Sequence, residues 1–146
     1  MTRTFLRSAL AVMACAGVFA FATPSMADMM KMKASLKGSS EVPPTDSKGT
    51  GAVDVTYDSA SKKLSWKGTY SGLTGPATAA HFHTGETGKN GGVAVPIFQG
   101  PTAKSPFEGS ATLTDAQAAD LTSGKMYVNV HTEKNKGGEI RGQVTK

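Results

Sequence analysis

The sequence predicts an all-β fold, an antiparallel sandwich or barrel with one short helix. Short segments in which apolar and polar residues alternate recur along the chain, with turn-forming residues between them. The chain contains 17 glycines, which suits frequent tight turns, and a single segment carries the signals of a helix. Short strands at this spacing are typical of antiparallel layers that enclose one core.

Residues 1–27 are predicted to be a secretory signal peptide and are excluded from the fold. Arg3 and Arg7 give the segment a positive start, residues 9–22 form an apolar run, and Ser25-Met26-Ala27 is a small-residue cleavage site. The apolar run is shorter than the about 20 residues that a membrane-spanning helix needs. We therefore expect a periplasmic or secreted protein with no membrane span after cleavage. Lipidation at Cys15 is the alternative.

Residues 28–146 are then one domain, long enough to bury a single core. Cys15 is the only cysteine of the chain and leaves with the signal peptide, so the mature protein has no disulfide and no thiolate ligand. Any metal would need histidine, methionine or carboxylate ligands. The formal net charge of +5 falls by two with the signal peptide, and the lysines are scattered. Without a basic stripe, we expect no nucleic-acid partner.

Eight segments are predicted to be strands because their apolar residues alternate. They are residues 32–38, 49–57, 63–72, 79–85, 93–98, 107–113, 125–132 and 138–145. Pro43 and Pro44 interrupt the pairing after the first strand, since proline cannot donate to a ladder. Residues 58–62 are turn-forming, which predicts a hairpin between the second and third strands. A glycine-rich loop, residues 85–92, follows the fourth.

Residues 114–121 are predicted to be the helix. Thr114 stands at the N-cap, with Gln117 three residues on as in a capping box, and Gly124 ends the helix. So short a helix is not stable alone. We therefore expect it to dock on the sheets.

All three histidines of the chain lie on two predicted strands. His81 and His83 share one face of their strand, and His131 shares a face with Tyr127 and Asn129. If the two strands meet, the three imidazoles converge. Neutral imidazole suits copper, zinc, nickel and iron, and a missing fourth protein ligand would leave a position for water. The alternative is that the histidines hydrogen-bond strand to strand or lie on the surface.

Three further polar residues are candidates beside this site. Glu139 and Arg141 alternate onto the face opposite Ile140. If that face adjoins Asn129 and His131, Arg141 would attract anions and Glu139 would accept a hydrogen bond from an imidazole. The alternatives are a solvent-facing ion pair and, for Asn129, a turn-supporting or strand-edge polar residue. The chain lacks the Gly-x-Ser-x-Gly elbow of serine hydrolases and the Gly-Lys-Ser/Thr end of a phosphate loop.

The chain resembles a CHRD domain, a module repeated in chordin and found singly in secreted bacterial proteins. The matching segments include Leu36-Lys37-Gly38, Glu41-Val42-Pro43-Pro44, Ala79-Ala80-His81-Phe82-His83, Tyr127-Val128-Asn129-Val130-His131-Thr132 and Gly138-Glu139-Ile140-Arg141-Gly142. The resemblance covers essentially all of residues 28–146. It implies the fold more closely than it implies an activity.

Gly72-Leu73-Thr74 precedes His81-Phe82-His83, and Val130-His131 is followed at a distance by Gly138 and Arg141. In these features the chain has a second, weaker resemblance, to copper/zinc superoxide dismutase. It implies a Greek-key β-sandwich, of the superoxide-dismutase-like or immunoglobulin-like kind. It also implies that His81, His83 and His131 are copper ligands and that Arg141 guides an anion. Residues 85–98 contain no histidine or aspartate to match the zinc ligands, and the disulfide cysteines are absent. We therefore expect one copper ion and no zinc site, and the resemblance leaves enzymatic activity undecided.

These observations predict an exported single-CHRD-domain protein that binds one copper-like ion for metal handling or redox protection. The alternative is a metal-free periplasmic or extracellular module that binds another protein. A third hypothesis, a superoxide dismutase, needs a redox-cycling ion with an open coordination position.

Overall fold

The computed structural model describes residues 28–100 and 103–146, and within them the chain forms an eight-stranded antiparallel sheet, one α-helix and one 3-10 turn. The strands are β1 Met29–Lys37, β2 Thr50–Asp58, β3 Lys63–Ser71, β4 Ala77–Thr84, β5 Val93–Gln99, β6 Phe107–Thr112, β7 Met126–Thr132 and β8 Ile140–Gln143. The helix is α1 Asp115–Thr122, and the 3-10 turn is Gly38–Ser40. The predicted all-β fold with one short helix is confirmed. The predicted signal peptide, including Cys15, lies outside the described residues.

The sheet runs in the order β5-β4-β7-β8-β1-β2-β3-β6 and folds back on itself. Trp66 of β3 meets Phe82 of β4 edge-on, with ring centroids 5.3 Å apart. At the two ends of the sheet, Phe98 of β5 and Phe107 of β6 are 5.4 Å apart. The half made of β5, β4, β7 and β8 therefore faces the half made of β1, β2, β3 and β6, nearly closing a barrel. The chain crosses between the halves after β3, β5 and β6.

Alternating burial sets the register of the first three strands. In β2, Val53 and Val55 are completely or almost completely buried, and the residues between them face outward. A slip of one residue would exchange these two faces, so burial of one face specifies the register. The predicted hairpin between β2 and β3 is confirmed, and its turn is supported by Asp58, whose Oδ1 accepts a hydrogen bond from Ala60 N at 2.9 Å.

The helix begins with the predicted capping box. Gln117 N donates to Thr114 Oγ1 at 3.2 Å, and Thr114 N donates to Gln117 Oε1 at 2.9 Å. Gly124, with φ of +74°, follows the helix end in the left-handed region. Gln117 Nε2 also donates to Ala94 O of β5 at 2.9 Å, and Leu121 is buried in the core. Docking therefore supplies the stability that so short a helix lacks.

Strand β7 is buried on both faces. Met126, Val128 and Val130 point into the core and are fully buried. Tyr127 and Asn129, on the other face, are buried as well. The 85–92 loop covers part of this second face, where the Tyr127 hydroxyl accepts a hydrogen bond from Gly91 N. Among the described residues, no helix is long and apolar enough to span a membrane.

Candidate metal centre

The three histidines come together because β4 and β7 are neighbours in the sheet. Ala79 of β4 pairs with His131 of β7, so the two side chains lie on the same face of the sheet. His81 and His83 lie on that face as well, because every second residue of β4 points to the same side. One nitrogen from each imidazole lies within 4.8 Å of the other two. The closest pair is His81 Nδ1 and His131 Nε2, 3.2 Å apart. The structure thus brings together all three histidines that the sequence placed on strand faces.

Backbone carbonyls hold two of the three rings. His83 Nδ1 lies 3.0 Å from Gly91 O, and His131 Nδ1 lies 2.9 Å from Lys136 O. A carbonyl only accepts, so each Nδ1 carries the proton and each Nε2 keeps its lone pair. His83 Nε2 is buried and has no hydrogen-bond partner among the described residues. An unpaired buried acceptor is costly, and a bound ligand would satisfy it.

Neutral imidazole is the form that binds metal ions. Burial, with the neighbouring His131 and His83 acting in the same direction, lowers the pKa of His81 to about 4. Burial also lowers the pKa of His131, against the opposing effect of its bond to Lys136 O. A metal ion would therefore meet lone pairs at these two rings without first displacing added protons.

The spacing of the nitrogens fits one ion. Metal–nitrogen bonds of about 2.0–2.1 Å place any two ligand nitrogens no more than about 4.2 Å apart. The three nitrogens lie within 4.8 Å of one another, so a shift of well under an ångström by each ring suffices. The group consists of three histidines without a carboxylate. It leaves a coordination position for water or another small ligand, as catalytic and exchangeable sites do.

Tyr127 supports His83 from behind. Its ring stacks on the His83 ring with centroids 4.9 Å apart and planes 5° apart. The Arg141 Cζ atom lies 3.4 Å from the Tyr127 ring centroid. Because β7 lies between β4 and β8, His83 and Arg141 approach Tyr127 from opposite sides. The Tyr127 hydroxyl accepts from Gly91 N at 3.2 Å, and the carbonyl of the same Gly91 holds His83.

Arg141 is 2% exposed and holds the 85–92 loop from beneath. Its guanidinium donates to Lys89 O at 2.7 Å, to Glu86 O at 3.2 Å and to Asn90 Oδ1 at 3.1 Å. Asn90 Nδ2 in turn donates to Val42 O at 2.7 Å. Arg141 therefore positions the loop whose Gly91 carbonyl orients His83. Its predicted attraction of anions stays a prediction.

Glu139 is fully buried and ties three loops together. Its carboxylate accepts five hydrogen bonds, from Ser47 Oγ at 2.6 Å, Thr74 N and Oγ1 at 2.7 Å each, Thr132 Oγ1 at 2.5 Å and Asn135 Nδ2 at 3.1 Å. Burial raises the pKa of Glu139, but the bonds from Ser47, Thr132 and Thr74 outweigh burial and lower it to about 2.

No histidine is among the described partners of Glu139. Its bonds to Thr132 and Asn135 shape the β7–β8 turn, residues 133–139, in which Lys136 O faces His131. The contact between Glu139 and the metal centre is therefore indirect, through the backbone of this turn. The sequence predicted that Glu139 lies near His131, but the alternation of residues carried no information on the four residues that bind it.

Asn129 lies beside a buried carboxyl group that sequence reasoning missed. Glu41 is 5% exposed, and its Oε1 has no hydrogen-bond partner among the described residues. Burial raises the pKa of Glu41 to about 7, although the charge of Arg141 and bonds from Asn129 and Val42 act in the opposite direction. Glu41 was visible in the sequence only as part of the Glu41-Val42-Pro43-Pro44 motif.

Gly138 makes room for these two side chains. Its φ is +128°, in the left-handed region that favours glycine. A side chain at this position would collide with Glu41 Oε1 and Asn129 Nδ2. Asn129 Nδ2 also lies 3.4 Å from Gly137 O. The predicted neighbourhood of Asn129, Glu139 and Arg141 thus supports the loops around the histidines.

Fold and site together define an all-β domain with a three-histidine group that could hold a metal ion. The chain belongs to the CHRD domain family, whose model matches residues 32–144. The match covers nearly the whole chain and includes all three histidines, which confirms the predicted family. Comparisons with curated proteins and with solved structures found no significant match.

Proposed function

We propose that this chain is an exported CHRD-domain protein that binds one copper-like ion through His81, His83 and His131, for metal handling or redox protection. One observation carries the proposal. Three ring nitrogens, one from each imidazole, lie within 4.8 Å of one another, and the buried His83 Nε2 has no hydrogen-bond partner among the described residues.

Copper is the ion that this ligand set favours. Imidazole binds copper, zinc, nickel and iron, and among the divalent first-row ions a given site usually binds copper most tightly. The group contributes no charged ligand, so nothing in it selects the harder ions that prefer carboxylates. The absence of a zinc site stays a prediction.

Export is the second part of the proposal. The positive start, apolar run and cleavage site of residues 1–27 support a signal peptide. Residues 28–146 contain no cysteine, so the domain can fold in an oxidising compartment without disulfide pairing. We place the mature protein in the periplasm or outside the cell, with lipidation at Cys15 as the alternative.

The test is metal stoichiometry by elemental analysis, after reconstitution of residues 28–146 with copper or zinc. We expect one equivalent of copper in the wild type and none in the His81→Ala/His83→Ala double variant, at folding matched by circular dichroism. The control is Met29→Leu, because Met29 is 55% exposed and its thioether is a soft copper ligand. This variant should keep its full equivalent.

Two results would overturn the proposal. Wild-type protein that is folded and binds no metal would favour the metal-free interaction module, and the search would turn to protein partners. Metal that is lost in Met29→Leu and kept in the double variant would place copper at Met29 instead.

A further inference from the structure

His81 differs from the other two histidines in how it is held. His83 and His131 each donate one ring N–H to a backbone carbonyl. The one hydrogen-bond contact of the His81 ring with the described residues is Nδ1 to His131 Nε2, at 3.2 Å. This contact joins two rings of the three-histidine group to each other, so an ion that takes the His131 Nε2 lone pair would replace it.

Ring packing separates His81 from His83. His83 is 9% exposed and stacks face to face on Tyr127, which Arg141 covers from the other side. His81 is only partly buried, and its ring meets His83 and His131 edge-on, with centroids 5.5 and 5.0 Å apart. His81 thus touches the other ligands and has no stacked support of its own among the described residues.

The backbone at His81 is also irregular where β4 pairs with β5. In the β4–β5 ladder, register shifts lie on both sides of His81 and Phe82, between Ala80 and His81 and between Phe82 and His83. The residue opposite His81 on β5 is Pro96, which has no N–H to donate. Bulges of this kind re-aim side chains and often lie beside functional sites. On its β5 side, the backbone of His81 is therefore loosely paired.

We infer that His83 and His131 are the permanent ligands of the metal centre and that His81 is the exchangeable ligand through which the ion enters and leaves. This inference rests on the proposed function. The acceptor is a partner that offers a nitrogen or sulfur lone pair. Its lone pair forms a bond to the ion while the bond from the His81 imidazole breaks, and the freed ring nitrogen keeps its electron pair. The exchange moves no electron between the metal and its ligands.

Copper release to a chelator tests this order of ligands. Protein loaded with Cu(II) is mixed with excess EDTA, and release is followed by stopped-flow absorbance for the wild type, His81→Ala, His83→Ala and His131→Ala. We expect His81→Ala to load one equivalent and to release it roughly tenfold faster than the wild type, since lost contacts act mainly on dissociation. We expect the other two variants to load none. The wild-type rate should rise with EDTA concentration, because the acceptor takes part in the exchange.

The possible failures are distinguishable. If His81→Ala loses its copper as completely as His83→Ala does, or if the wild-type rate does not depend on EDTA concentration, the inference is wrong, while a full equivalent in the wild type leaves the proposed function intact. A wild type that binds no copper overturns both. If circular dichroism shows that an alanine variant is unfolded, the glutamine variant at the same position takes its place in the copper-loading and release measurements.

Discussion

Replacing Glu139 with glutamine removes a buried charge and leaves the side chain nearly the same size. The carboxylate accepts from Ser47 and Thr74 at Oε1, and from Thr74, Thr132 and Asn135 at Oε2. In Glu139→Gln, an amide nitrogen takes the place of one oxygen. At Oε1 it would face the N–H of Thr74, and at Oε2 it would face the Asn135 amide. Either orientation sets donor against donor.

The magnitude follows from the pKa of Glu139. Its fall from 4.5 to about 2 is worth about 3 kcal/mol of folding free energy, at about 1.4 kcal/mol for each pH unit. Hydrogen bonds to a charged group, at about 1.5–3 kcal/mol each, give a loss of the same order if one or two fail. We therefore expect Glu139→Gln to lower the free energy of unfolding by about 3 kcal/mol at pH 7.

The pH dependence gives the sign. Because the folded state lowers the pKa of Glu139, its stabilisation is complete above about pH 4.5 and is lost as the pH falls toward 2. The gap in unfolding free energy between wild type and variant should therefore shrink over this range.

Urea denaturation of the metal-free proteins, followed by circular dichroism at pH 7, 4 and 3, measures this gap. The control is Glu133→Gln in the same β7–β8 turn. The Glu133 side chain is 81% exposed, and its ion pair with Lys136 at 3.6 Å should contribute less than about 1 kcal/mol. A loss below about 1 kcal/mol in Glu139→Gln, or a gap that stays the same at every pH, would refute the reasoning.

Three other substitutions test the support around the histidines. Tyr127→Phe keeps the stack on His83 but removes the acceptor for Gly91 N, so copper affinity in a competition titration should fall roughly tenfold. Folding raises the pKa of Glu41, so the stability of the wild type should fall as the pH rises from about 4.5 to 7. Urea unfolding of Glu41→Gln should not show this fall. Gly138→Ala should lower the thermal midpoint and cost about 1–3 kcal/mol, through its positive φ and the collision with Glu41.

Each of these has a matched control. Tyr70→Phe, at a tyrosine on β3, should leave copper affinity unchanged, and an equal fall in both tyrosine variants would count against the role of Tyr127. Glu86→Gln, at an exposed carboxylate, should keep the wild-type pH trend, and parallel curves for Glu41→Gln would contradict a raised pKa. Gly137→Ala has open space around it and should be nearly neutral. Equal losses at Gly137 and Gly138 would show that the collision is unimportant.

Local patterns predicted most of the secondary structure. The second strand was predicted at residues 49–57 and is Thr50–Asp58, and the capping box of Thr114 and Gln117 was predicted in full. Such features depend on neighbours within a few residues, where the alternation of side chains and the chemistry of a cap are written directly in the chain. Alternation also placed His81 and His83 on one face.

Contacts between distant segments belonged to the tertiary structure. His81 and His131 are 50 residues apart, and they meet only because β4 lies beside β7. Backbone carbonyl groups of Gly91 and Lys136 hold His83 and His131. Every residue has such a carbonyl, so the residue types in the sequence cannot predict these contacts. Burial raises the pKa of Glu41, and no local sequence pattern around Glu41 predicts that it is buried.

By itself, the sequence determined the strands, the helix, the family and the three histidines as candidate ligands, because these follow from local alternation, capping and motif. Only the tertiary structure decided which strands are neighbours, which nitrogens of His83 and His131 face carbonyl groups, and that Arg141 and Glu139 hold loops. Strand order, ring orientation and loop support depend on segments that are far apart in sequence and that pack against one another out of water. The free energy of that packing depends on the whole fold.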